Sequence, residues 1–252
     1  SETNLVSIIW GQSEIGSIQP IQFIGNKCKE NNIFFHVDGT QIIGNGTFNW
    51  KDLNCDLLSL SAHKFGGPKG IGLLLTNKKS RTFLTNNDIA YTHEYSIRQG
   101  TQSIPLVNGM CQALKNISGE ILLSNNGIQF KNNKILYLRD YLLNLFKNNK
   151  NIEITGCLTN RLPNHLSFIL LNKKFLPIKA FKIVNYMSEN NIAISSGSSC
   201  SASSKKPSKV LTNIGLCEDK LYSNIRVSFG EENSIKQLDK FYKLLLDCIH
   251  KF

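Results

Sequence analysis

The chain is 252 residues long, 41% hydrophobic and 19% charged, enough to bury a substantial core in one large domain or two smaller ones. It has no run of about eighteen apolar residues and opens on no basic, apolar leader, so a cytoplasmic protein with no membrane partner is expected. The net charge of +11 invites a nucleic-acid reading, but the lysines are spread through Asn/Lys-rich segments such as Lys131-Asn-Asn-Lys134 without aromatic interleaving. A solvated basic surface and no nucleic-acid partner are expected instead.

In chain order, Leu5-Val-Ser-Ile-Ile-Trp10 reads as a buried strand, and 20–31 as a helix with Pro20 at its first position and Ile21, Ile24 and Cys28 on one face. A strand over 33–37 then delivers Asp38 and Gln41 into a glycine-containing turn. Leu57, Leu58 and Leu60 form a third strand that stops at a polar cluster, Ser61, His63 and Lys64, followed by Gly66 and Gly67, and 71–75 forms a fourth. Strand, helix, strand, loop and strand predict an α/β fold with at least partly parallel strands.

Residues 79–103 read as a polar loop around His93, Arg98, Gly100 and Thr101, followed by helical periodicity over 104–117 and 121–146. Further strands are expected at 152–155, 166–171, 192–195 and 224–229, and helices at 177–190 and 234–250. A soft boundary near 120 would separate a domain over 1–120 from a smaller one over 121–252. The seven cysteines (28, 55, 111, 157, 200, 217 and 248) include no CxxC pair, which argues against disulfides or a zinc site and for a reducing compartment. Cys200 lies in a Ser/Gly-rich loop followed by Lys205 and Lys206, an accessible setting, whereas the other six lie mostly in apolar patterns that predict burial.

Open α/β sheets place ligand chemistry at the carboxyl ends of their strands, where Asp38, Gln41, Ser61, His63 and Lys64 are predicted to fall. Lys64 is then either a surface lysine beside a turn or a Schiff-base lysine for an aldehyde cofactor. Asp38 alone reads as a turn residue before Gly39; in this company it is a carboxylate that keeps a pyridine nitrogen protonated, making pyridoxal 5′-phosphate (PLP) an electron sink. Ser61 and His63 suit a phosphate, and Gln41 a phenolate oxygen. Arg226 alone reads as a surface arginine on a strand.

Phe35-His-Val-Asp-Gly-Thr-Gln41 together with Asp56-Leu-Leu-Ser-Leu-Ser-Ala-His-Lys-Phe-Gly-Gly-Pro-Lys-Gly70 closely resembles the cysteine desulfurases of the NifS/IscS type, class V aminotransferase relatives with the fold-type I PLP architecture. Ile97-Arg-Gln-Gly-Thr101, Arg161-Leu-Pro-Asn164, Ser195-Ser-Gly-Ser-Ser-Cys200 and Asn224-Ile-Arg-Val-Ser228 resemble further segments of that family in the same order, over essentially the whole chain. The resemblance implies a partial large domain with a mixed, mostly parallel sheet and a smaller α/β carboxy-terminal domain carrying the active-cysteine loop. It also departs from the family. Gln12-Ser13-Glu14 stands where the family has Asn-Asn-Glu, and the family's amino-terminal phosphate loop and ring-stacking histidine have no counterpart, which predicts a partial chain.

Position by position, the resemblance implies Lys64 as the PLP Schiff base, Asp38 at the pyridine nitrogen, Gln41 at the phenolic oxygen and Ser13 in place of the ring-holding asparagine. Ser61 and His63 would bind phosphate, joined by Thr101 from the neighbouring subunit of a homodimer. Cys200 would be the nucleophile and Arg226 the carboxylate clamp. The implied reaction takes sulfur from L-cysteine, gives L-alanine and leaves a persulfide on Cys200 for an iron–sulfur scaffold or another sulfur-acceptor protein. No resident metal is implied, although Cys200 is placed to meet an iron–sulfur cluster. Two alternatives stay open: another class V PLP enzyme such as a selenocysteine lyase, and a catalytically impaired partner used for dimerisation or acceptor docking.

Overall fold

Alternation along the chain builds the first sheet of this computed structural model, in which residues 2–47, 50–85, 93–118, 129–130, 133–197 and 207–252 are described. The chain divides into two units, Ser1–Gly11 with Gln19–Lys131, and Gln12–Ile18 with Asn132–Phe252.

The first unit contains β1 (Leu5–Ile9), α1 (Ile21–Glu30), β2 (Phe34–Asp38), β3 (Gly46–Thr47), β4 (Leu57–Ser61), β5 (Gly72–Thr76), α2 (Lys78–Thr85), α3 (Ile104–Ser118) and β6 (Gln129–Phe130). Its main sheet has the order β1-β2-β4-β5, with β1, β2 and β4 parallel and β5 antiparallel; β3 and β6 form a separate antiparallel pair. Phe35 and Val37 of β2, with Leu58 and Leu60 of β4, are buried on one face, so the intervening His36, Asp38, Ser59 and Ser61 point to the other. In α1, Ile21, Gly25 and Cys28 form the buried stripe, and Lys27 and Lys29 suit the negative end of the helix dipole.

Part of the expected polar loop over 79–103 is instead α2. Asn77 explains the difference: its side chain accepts the Ser80 amide at 2.8 Å and caps the helix, while the buried Ser80 hydroxyl donates to the Asp56 carbonyl at 2.8 Å. Phe83 adds a ring contact with Phe34, centroids 5.1 Å apart.

The second unit contains α4 (Asn133–Lys147), β7 (Ile152–Ile154), β8 (His165–Leu170), α5 (Ala180–Glu189), β9 (Ser195–Ser196), α6 (Lys209–Asn213), α7 (Glu218–Leu221), β10 (Asn224–Ser228) and α8 (Ile235–Lys251). The sheet order is β7-β8-β10-β9, all antiparallel. Leu142 and Phe146 from α4, Ile183 and Met187 from α5, and Leu245 and Cys248 from α8 pack with Phe168 and Ile225 in its core. A capping box between Ser234 and Gln237 starts α8.

Two expected elements shift. The strand expected over 192–195 is reduced to Ser195–Ser196, because Asn191 turns left-handed (φ 59°) at the end of α5 and Ile192 donates back to the Met187 carbonyl. The helix expected over 121–146 is described from Asn133; residues 119–128 lie outside the described residues. Burial of the six cysteines also differs from expectation. Cys28, Cys55 and Cys248 are buried, but Cys111 is exposed within α3, Cys217 is exposed just before α7, and Cys157 is half-buried in the loop after β7.

Candidate functional site

Parallel pairing of β2 with β4 sets Asp38 beside Ser59, so both strands deliver their last polar residues to the same end of the sheet. Asp38 is half-buried, and its Oδ1 accepts the Thr40 amide at 2.9 Å, which fixes the carboxylate at the start of the turn that carries Gln41. Beyond Ser61 the chain makes a single 3-10 turn, Ala62–Phe65, closed by Gly66 in the left-handed region (φ 87°). That turn puts Ser61 and His63 together, with Oγ to Nδ1 at 2.9 Å, and Lys64 is exposed on it. Ala62 and Phe65 are buried and anchor the turn.

A hydrogen-bonded row that the sequence reading missed runs across the same face. Ser7 Oγ meets His36 Nδ1 at 2.7 Å, and His36 Nε2 meets Ser59 Oγ at 2.7 Å, linking β1, β2 and β4 behind Asp38. Burial lowers the His36 pKa and the nearby Asp38 carboxylate opposes that shift. The strand alternation that exposes Asp38 on this face applies equally to His36, two residues earlier, and was the available signal. At the opposite end of the strands Asp56 accepts the Phe35 amide at 2.9 Å and the Asn77 side chain at 2.6 Å, which pins β2, β4 and α2 together.

In the second unit Arg226 is half-buried rather than on the surface, since β10 is an inner strand of its sheet. Its Nη1 donates to the Ser13 carbonyl at 2.9 Å. The buried His165 approaches the same oxygen, Nε2 to O at 3.1 Å. Glu14, next along the segment, is buried and accepts the Ser208 hydroxyl at 2.5 Å. Arg161, the first residue of the Arg-Leu-Pro-Asn motif, is 1% exposed and donates to the carbonyls of Cys157, Ile15 and Thr155. Gln12–Ile18 is thus held from several sides.

Thr101 is exposed in the segment before α3. Cys200, Lys205 and Lys206 lie outside the described residues. Among the described residues no group of three or more His, Cys, Asp and Glu side chains is gathered for a metal ion, and no helix is long and apolar enough to cross a membrane.

Residues 1–241 match the family model described as aminotransferase class-V. The chain belongs to that family. It is 38% identical over 250 residues to the cysteine desulfurase IscS of Ruthia magnifica subsp. Calyptogena magnifica, an alignment covering 99% of this chain and 58% of the relative. The NifS-like protein from Rickettsia africae ESF-5 superposes with a TM-score of 0.79 at 29% identity, covering 99% of this chain and 62% of the other. A structure described as SspA in complex with cysteine gives a TM-score of 0.66 at 29% identity, covering 89% and 58%. The chain spans about three fifths of the length of the relatives it matches. Its fold is that of the fold-type I PLP enzymes, and the class V aminotransferases of the IscS and NifS kind depend on PLP.

The donor set of the first unit fits that cofactor. Asp38 offers a fixed carboxylate for a ring cation, the Ser61 and His63 pair offers hydroxyl and imidazole groups for a phosphate, and Lys64 offers an amine on the same turn.

Proposed function

We propose that this family member acts as a cysteine desulfurase. L-cysteine and the Cys200 thiol give L-alanine and a Cys200 persulfide. The substrate carbon–sulfur bond breaks with its electron pair left on carbon, carbon takes up a proton, and a sulfur–sulfur bond forms to Cys200. PLP, when bound, supplies the electron sink that makes this charge on carbon tolerable.

Each remaining step belongs to the chain. Asp38 holds a proton on the ring nitrogen, Gln41 donates at the phenolic oxygen, and Ser13 stands on the Gln12–Ile18 segment as the further ring contact. Ser61 and His63 hold the phosphate, with Thr101 contributed by a second copy in a homodimer. Lys64 carries the cofactor and moves the proton at the substrate α-carbon, and Arg226 takes the substrate carboxylate as a charge-assisted pair. The setting is cytoplasmic, and an iron–sulfur scaffold or another acceptor protein collects the sulfur.

One observation carries this reading: Asp38 and the Ser61–His63–Lys64 turn sit at the carboxyl ends of adjacent parallel strands, in a chain 38% identical to an IscS. The test is PLP reconstitution followed by visible absorption and alanine release from L-cysteine. A visible band that Lys64→Ala removes, with alanine formed by the wild type, is expected. A folded wild type that stays colourless and releases no alanine favours the alternative of a partner without turnover of its own.

A further inference from the structure

The Ser13 carbonyl accepts from two side chains that belong to adjacent strands, His165 at the start of β8 and Arg226 within β10, where Ser228 pairs with His165 and Arg226 with Ser167. A carbonyl oxygen only accepts, so the His165 imidazole carries its proton on Nε2. Its Nδ1 is then a bare lone pair, buried and without a partner among the described residues. Keeping an unpartnered nitrogen in the interior is costly, and the bond from Nε2 to Ser13 is what the buried ring provides in return.

We infer that His165 is a positioning residue: by holding the Ser13 carbonyl it orients the Arg226 guanidinium that shares that carbonyl, and so tunes recognition of the substrate carboxylate. This rests on the desulfurase reading for the carboxylate and on the geometry above for the clamp. A guanidinium is a planar fork of five N–H groups, so the placement of the Ser13 oxygen that accepts from one nitrogen biases the orientation in which the rest of the fork meets a carboxylate. The Ser13 carbonyl is held by donors from two neighbouring strands, so losing the His165 bond leaves that oxygen less firmly aimed at Arg226. The ring is suited to this task because it stays uncharged beside Arg161 and Arg226, with burial as the main cause and the two guanidiniums adding to it.

Two variants in the full chain separate positioning from mere packing. His165→Gln places an amide N–H near the position of Nε2, and His165→Asn keeps a buried amide but stops short of Ser13. Amide hydrogen exchange of Gln12–Ile18 and the kinetics with L-cysteine are the readouts. His165→Asn should speed exchange in that segment about tenfold and raise KM for L-cysteine about tenfold, leaving kcat within about twofold; His165→Gln should restore both. If His165→Asn leaves exchange and KM unchanged, or if a folded His165→Gln loses protection like the shorter variant, the inference is overturned. A wild type that makes no alanine sinks the desulfurase reading instead, and the exchange comparison still decides the clamp.

Discussion

The Glu14 carboxylate and the Ser208 hydroxyl meet at 2.5 Å inside the second unit, 194 residues apart in the chain, and both are buried. Ser208 also accepts the Leu211 amide at 3.3 Å as the cap of α6. One hydroxyl therefore satisfies a carboxylate and starts a helix. Ser208→Ala should cost about 2–3 kcal/mol, the sum of a lost cap and a lost hydrogen bond to a buried carboxylate. Urea unfolding measures it; a loss below about 0.5 kcal/mol would mean that water replaces the hydroxyl freely.

Stability should also fall in acid through His165. Burial, then Arg161 and Arg226, push its imidazole down to about 3. The unfolded chain takes up a proton near pH 6.5 that the folded chain refuses, so this contribution is full above about pH 6.5 and is lost progressively as pH drops towards 3. The slope is at most about 1.4 kcal/mol per pH unit. Between pH 7 and pH 5 the wild type should lose roughly 1–2 kcal/mol more than His165→Gln. Parallel curves for the two proteins would place the imidazole's titration elsewhere.

Thiol reactivity should rank by environment. Hydrogen bonds from the Thr159 hydroxyl and the Thr159 and Asn160 backbone, with the Arg161 charge, lower the Cys157 pKa, whereas burial pushes Cys55 up to about 12 and Cys248 to about 11. Brief iodoacetamide treatment at pH 7 should alkylate Cys157 well before Cys55 and Cys248, read by peptide mass spectrometry. Equal labelling of the three would show that global opening, not the local setting, governs access.

Gly16 is left-handed (φ 76°), and a methyl group on it would lie 2.6 Å from the His165 Nδ1 atom. Gly16→Ala therefore combines backbone strain with a clash against a packed ring, and a loss of about 2–4 kcal/mol is expected. Thermal unfolding of the purified variant checks it, and an unchanged midpoint would mean that Gln12–Ile18 repacks at little cost.

Much of this was legible in the sequence because it is local. The alternation of Phe35, Val37, Leu58 and Leu60 set the faces of β2 and β4, and the apolar run ending at Ser61, His63 and Lys64 marked the turn that the structure forms there. The α2 helix was missed because its decisive cap, Asn77, sits in a polar stretch that looks like loop until the Ser80 bonds are seen. His165, Ser208 and the Thr155, Ser167 and Asn224 hydrogen-bond cluster were missed for a different reason. Their partners lie 12 to 194 residues away, and a buried polar network carries no periodic signal. Arg226 read as a surface residue because strand position in a sheet, inner or edge, is set by pairing rather than by the strand's own residues.

Under the proposed function, sulfur leaves L-cysteine for Cys200. Incubating the PLP-reconstituted protein with L-cysteine and mapping the product by peptide mass spectrometry tests it most directly. An addition of about 32 daltons, one sulfur atom, is expected on the peptide containing Cys200, with alanine released in equal amount and both lost in Cys200→Ser. Sulfur found on Cys111, Cys157 or Cys217 instead, or undiminished alanine release from Cys200→Ser, would contradict it.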